Sequence, residues 1–212
     1  MRPPLEFGAE IKQEADTEVT VPPAVMICTR LAGRAIIRVV SRCNDAQENC
    51  NLDLSECQLM QVPDAVYHLM RHTELKRCNL SSNSITKIPP KFAVNFNLIS
   101  ELNLAHNQMS RLPDELEELS ALENLDISHN AFISLPYSVY KMPKLINLNA
   151  SHNYIIEINV DSLQSCPSLE ICDLEENPLT SNIRSALEKI SSIKVTFSVP
   201  EGEDEDWDNL NI

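Results

Sequence analysis

A frame of apolar residues recurs through the middle of this chain at an interval of 23 residues, and it restricts the possible folds more than any other feature. From Ile99 to Pro113 the sequence reads ISELNLAHNQMSRLP, with apolar residues at Ile99, Leu102, Leu104, Met109 and Leu112 and an asparagine at Asn107. The frame returns as Leu122, Leu125, Ile127, Asn130, Phe132 and Leu135, and again as Leu145, Leu148, Ala150, Asn153, Ile155 and Ile158. Looser copies lie on both sides. Two precede it, around Leu52, Leu54 and Cys57 and around Cys78, Leu80 and Asn83; a last one follows, around Cys172, Leu174 and Asn177. A fixed period of this length marks a unit that cannot bury its own apolar face and does so by stacking on its neighbours. The expected fold is therefore an open α/β solenoid of about six units, spanning residues 49–180.

Within each unit the L-x-L core alternates with period two, which makes a short strand with one buried face. Successive strands then pair in parallel, about 4.8 Å apart, as a concave sheet. The return segments, such as DELEELSAL, place Leu116, Leu119 and Leu122 at helical or 3₁₀ spacing on the convex side. The asparagines are expected to satisfy the backbone of the turn after each strand. Cys57 holds that position in the first unit and has no amide, so the first unit is expected to be the loosest.

An open solenoid needs its ends covered. Residues 25–48 switch to helical spacing and are expected to form the N-terminal cap, with Ile36, Val40 and Cys43 on the inward stripe. After the last unit, Ile183, Leu187 and Ile190 are spaced as on a helix, and IKVTFSV alternates as a strand, so 181–199 is expected to be a helix-strand cap. Residues 1–24 are acidic and proline-bearing without periodicity, and 200–212 are an acidic tail; both are expected to be disordered.

The net charge of −14 argues against nucleic acid and anionic membrane as partners, and in favour of a cationic protein surface. No apolar run approaches the roughly 18 residues of a membrane span, and the first residues lack a signal-peptide core. The seven cysteines are an odd and dispersed set, and Cys57, Cys78 and Cys172 fall at core positions of the frame. This pattern is expected of a reduced, cytoplasmic or nuclear protein.

The units that close on L-P, as at Leu112-Pro113 and Leu135-Pro136, resemble the intracellular leucine-rich repeats of Ras-suppressor-type proteins. The layout is similar to that of a small member of the same family over about residues 33–202, with an amphipathic helix before LDLSECQL and a short cap after LEENPL. The resemblance implies a small, non-catalytic repeat protein with no assigned reaction and supplies no functional residues; no cofactor is assigned.

The exposed strand positions define the candidate protein-binding face. They include Asp53, Arg77, Asn79, Glu101, Asn103, Asp126, Asn149 and Asp173, with His106, His129 and His152 one turn further on. Asp or Asn stands at the third strand position in every unit, either as a binding feature or as what the frame tolerates. The three histidines, at equivalent positions, suggest a metal site or pH switch on one side and an ordinary solvated turn on the other. They lack the cysteine or carboxylate that would complete a tetrahedral metal set, so no metal is expected. Arg30, Arg34, Arg38 and Arg42 form one stripe on the capping helix, a solvated face or a dock for an acidic segment. In the tail, Trp207 and Leu210 lie three apart after a run of acids and resemble the short motif that binds ubiquitin-like autophagy modifiers. H-E-x-x-H, G-x-S-x-G and C-x-x-C are all absent from the sequence, so no catalytic residues are assigned. The sequence therefore suggests a monomeric protein–protein interaction scaffold with an acidic polar concave face. The alternative is a chaperone-like repeat protein that shields basic clients such as histones, since repeats followed by an acidic tail resemble the acidic leucine-rich nuclear phosphoproteins.

Overall fold

A computed structural model of the chain describes residues 23–199, with side chains from Ala35 onward. The described residues divide into two units between Arg34 and Ala35, and the solenoid belongs to the second. Helix α1 spans Pro23–Asn49. Seven strands follow among the described residues: β1 (Asn51–Asp53), β2 (Arg77–Asn79), β3 (Glu101–Asn103), β4 (Asn124–Asp126), β5 (Asn147–Asn149), β6 (Ile171–Asp173) and β7 (Lys194–Thr196). They pair in sequence order, all parallel, in one sheet. Each is three residues long, with the middle side chain turned inward, so the register aligns Leu52, Cys78, Leu102, Leu125, Leu148, Cys172 and Val195 in one row. The first six of these are buried.

The return segments are short. Helices α2 (Asp64–Leu69), α3 (Lys91–Asn95) and α4 (Val160–Gln164) serve the longer units. The 23-residue units around Asn107 and Asn130 instead use 3₁₀ turns at Asp114–Glu118 and Tyr137–Lys141. A 3₁₀ turn covers the same length with fewer residues, which suits a shorter unit. Leu116, Leu119 and Leu122 lie fully inside, as their spacing predicted.

The asparagines stitch the units together. Asn130 Nδ2 donates to Leu104 O at 3.0 Å in the preceding unit and to Ile127 O and Ser128 O in its own. Its Oδ1 accepts from Met109 N–H at 3.0 Å. Asn83, Asn107, Asn153 and Asn177 repeat the pattern. One amide thus satisfies several buried backbone groups that would each cost about 1–3 kcal/mol unpaired.

In the first unit the bonding differs from the sequence expectation in detail. Cys57 is buried at the asparagine position, and the donors come instead from α1. Arg42 Nη1 donates to Ser55 O at 2.6 Å and to Asp53 O at 3.1 Å, and Arg38 Nη1 donates to Glu56 O at 3.0 Å. The inward stripe of α1 is also shifted by one position. Val39, Cys43 and Ala46 are buried, whereas Ile36 and Val40, expected beside Cys43, are exposed. At the other end, helix α5 (Ser181–Leu187) and β7 close the sheet. Leu187 and Ile190 are buried there.

Candidate functional site

The outward side chains of the strands fall into two rows across the concave sheet. One contains Arg77, Glu101 and Ile171, and the other Asp53, Asn79, Asn103, Asp126, Asn149 and Asp173. The second row has a local structural cause. In each of its members the side-chain Oδ1 accepts the backbone N–H two residues on, at 2.9–3.1 Å. These are Asx turns, in which a short side chain mimics a backbone turn. They end the strand after its third residue and turn the chain toward the asparagine. Asp and Asn make this bond best, with Ser and Thr forming it more weakly, which accounts for the uniform composition at this position. All six residues line the groove.

The groove above the sheet has a volume of about 640 Å³ and is lined by both rows. Its charge is uneven. Arg77 Nε pairs with Glu101 Oε2 at 3.2 Å, and Arg42 Nη1 lies 3.5 Å from Asp53 Oδ1. Asp126 and Asp173 have no ion pair among the described residues. Asn147 Nδ2 donates to Asn124 Oδ1 at 2.6 Å and links the first-row positions of β4 and β5. The face is polar, with Ile171, 43% exposed, as its aliphatic exception.

One turn beyond the strands, His106, His129 and His152 stack as a column. Their ring centroids are 3.9 and 4.0 Å apart and the planes are 12° and 25° from parallel. All three have positive φ, 53°, 51° and 53°, as do Glu56, Ser82 and Glu176 at the equivalent positions of the other units. Every unit therefore places the residue before its asparagine, or before Cys57 in the first unit, in the left-handed region. Burial and the neighbouring imidazoles of His106 and His152 hold the His129 pKa below its usual value, while Asp126 acts in the opposite direction. Near-parallel rings direct their nitrogen lone pairs into parallel planes, not toward a common point. Among the described residues no group of three or more His, Cys, Asp or Glu side chains is arranged to hold a metal ion.

The remaining sequence candidates are scattered. Arg38 and Arg42 each donate from the guanidinium to backbone carbonyls of the first turn, and Arg38 remains exposed; the side chains of Arg30 and Arg34 lie outside the described residues. Trp207 and Leu210 also lie outside them. Burial pushes the Cys78 and Cys172 thiols up to about 12, so they behave as small apolar core residues. Sequence reasoning missed the Asx role of the second row, although Asp or Asn at the same position in six units was a visible signal. The bonding of Arg42 to the first turn gave no such signal.

Comparison with known proteins agrees with this architecture. The leucine rich repeat family model matches residues 73–132. Leucine-rich repeat-containing protein 20 of Mus musculus is 43% identical over 159 residues, covering 73% of this chain and 86% of that protein. The Homo sapiens protein of the same name is 32% identical over 95 residues, 43% of this chain and 52% of that protein. Among solved structures, a leucine-rich repeat protein of Leptospira interrogans superposes with a TM-score of 0.59 at 26% identity, covering 66% of this chain and 35% of that one. An internalin of Listeria monocytogenes gives a TM-score of 0.54 at 21% identity over 70% of this chain and 43% of its own length, a likeness of fold alone. The chain thus spans less than half the length of either bacterial protein.

Proposed function

The chain belongs to the leucine-rich repeat family, and from that premise we propose that it is a non-catalytic scaffold whose concave sheet binds a partner protein with a basic surface. Leucine-rich repeat proteins generally mediate protein–protein interactions, and stacked repeats create extended concave surfaces suited to that task. The observation that carries the reading is the groove of about 640 Å³ lined by Asp, Asn and Glu. Aromatic anchors of the kind that usually dominate interfaces are absent from its lining. Affinity would then come from charge and hydrogen bonds, and acidic side chains favour a cationic partner. Among the described residues no helix is long and apolar enough to cross a membrane. Action as a monomer in the cytoplasm or nucleus is part of the same proposal.

The test is site-directed photo-crosslinking in cells. A photo-reactive residue replaces Asn124 on the concave face in one variant and Glu118, exposed on the convex side, in another. Position 124 should capture a discrete protein that position 118 does not. Equal capture at both, or capture at 118 alone, would refute the concave-face reading. Repeating the capture in cell lysate at low and high salt separates the two forms of the proposal. A shape-matched partner should survive, whereas shielding of basic clients should collapse as charges are screened.

A further inference from the structure

The two halves of the concave face differ in what a basic partner must displace. Over β1–β3 the carboxylates are already matched, Asp53 by Arg42 and Glu101 by Arg77. A cation arriving there would have to compete with a fixed guanidinium and would meet Arg77, which repels it. Over β4–β6 the situation is reversed. Asp126 uses one oxygen for the Ser128 N–H and has no cation among the described residues. Its row neighbours in the register are Asn103 and Asn149, both neutral. Asp173 is also without an ion pair, its Oδ1 accepting from Glu175 N–H and Thr196 Oγ1. The fixed positive charges in the two rows are Arg77 on β2, already paired with Glu101, and Lys194, beside Ile171 on the edge strand β7. The exposed aliphatic side chain of the face, Ile171, lies in this same half.

We propose that the partner anchors on β4–β6 through an extended segment, with an arginine or lysine at Asp126 and an aliphatic side chain on Ile171. This rests on the concave-face reading above and identifies the half of the face that carries it. The spacing sets the recognised pattern. Asp126 and Ile171 are two strands apart and two residues out of step in the register. That is about 10 Å across the sheet and about 7 Å along it, or about 12 Å in all. An extended chain rises about 3.3 Å per residue, so the basic and aliphatic residues are three or four positions apart. Asn147 and Asn149 lie on β5 between the two anchors, and Asn147 Oδ1 and Asn149 Nδ2, not used in the bonds to Asn124 and Ser151, can serve the backbone of that segment.

The probe is a Ser/Gly peptide carrying one arginine and, three or four positions on, one leucine. It is titrated into the isotope-labelled full chain and followed by NMR, with the swapped and uncharged peptides as controls. The amides of β4 and β6 should shift, and the affinity should fall about tenfold in Asp126→Asn, the scale of one charge-assisted hydrogen bond. This variant keeps the fold testable, because asparagine already forms the same Asx turn in β2, β3 and β5. Ile171→Ser should weaken binding as well, and Asp53→Asn should leave it unchanged. If the shifts map to β1–β3, or Asp53→Asn weakens binding as much as Asp126→Asn, the assignment to β4–β6 is wrong while the concave-face reading stands. If no amide of the sheet responds, the peptide pattern is wrong, and the crosslink at position 124 decides separately whether the face binds protein at all.

Discussion

His106, His129 and His152 each occupy the left-handed region with a side chain stacked on its neighbour. For a residue with a Cβ, that backbone conformation costs roughly 1–2 kcal/mol. His129→Ala and His129→Gly both delete the ring, but only glycine relieves the backbone. The glycine variant should therefore be the more stable of the two by about 1 kcal/mol in denaturant unfolding. The stack also fixes a pH dependence. Burial, and then the charges of His106 and His152, keep the His129 pKa below its ordinary value, against the pull of Asp126. Unfolded, His129 takes up its proton near pH 6.5. Below that pH, and down to the native value, the unfolded chain holds a proton that the native chain refuses, so stability falls with falling pH and then levels off. Thermal melts from about pH 7.5 downward should show the wild type losing more stability than His129→Asn as the solution passes about pH 6.5. Parallel curves would mean that the stack does not resist protonation.

At the scale of elements, α1 is fixed to the first unit by its buried stripe, Val39, Cys43 and Ala46, and by the guanidinium of Arg42. Arg42 also lies 3.5 Å from Asp53, so one side chain supports the turn and offsets the first acidic position of the groove. Arg42→Ala should leave Ser55 O unpaired and loosen this end alone. Hydrogen exchange should show the amides of residues 35–49 opening more readily, by about 1.5–3 kcal/mol. The amides of β4 and β5 should change little, because repeat stability is a sum of neighbouring interfaces. A uniform loss across the sheet would contradict that locality. The intermediate case, Arg42→Lys, keeps the charge but not the planar fork and should recover only part of the protection.

For the whole molecule, the core is one continuous column of buried side chains running from Val39 to Ile193. Leu125, 2% exposed at the middle of β4, sits near its centre. Leu125→Ala should cost about 2–5 kcal/mol, measured as a shift in the urea midpoint. A change below about 0.5 kcal/mol, the scale of surface substitutions, would contradict the burial of that side chain.

The sequence alone determined the repeat frame, because burying leucines on one face of a three-residue strand requires period two inside the unit and a fixed interval between units. It also located the concave rows, the stacked histidine positions and the buried Cys78 and Cys172 thiols, since all of these follow from counting along the frame. The stripe on α1 was misplaced because a helix rotates 100° per residue and its orientation depends on the surface it covers. Counting did not show which face residues were already engaged. Arg42 reaches the first turn, Arg77 pairs with Glu101, and each Asp or Asn of the second row is tied to its own backbone. Those partners lie two to twenty-odd residues away, and only the stacked tertiary structure brings the longer-range ones within hydrogen-bonding distance. That is why the uncompensated charge at Asp126, and with it the choice between two halves of one face, was decided by the structure.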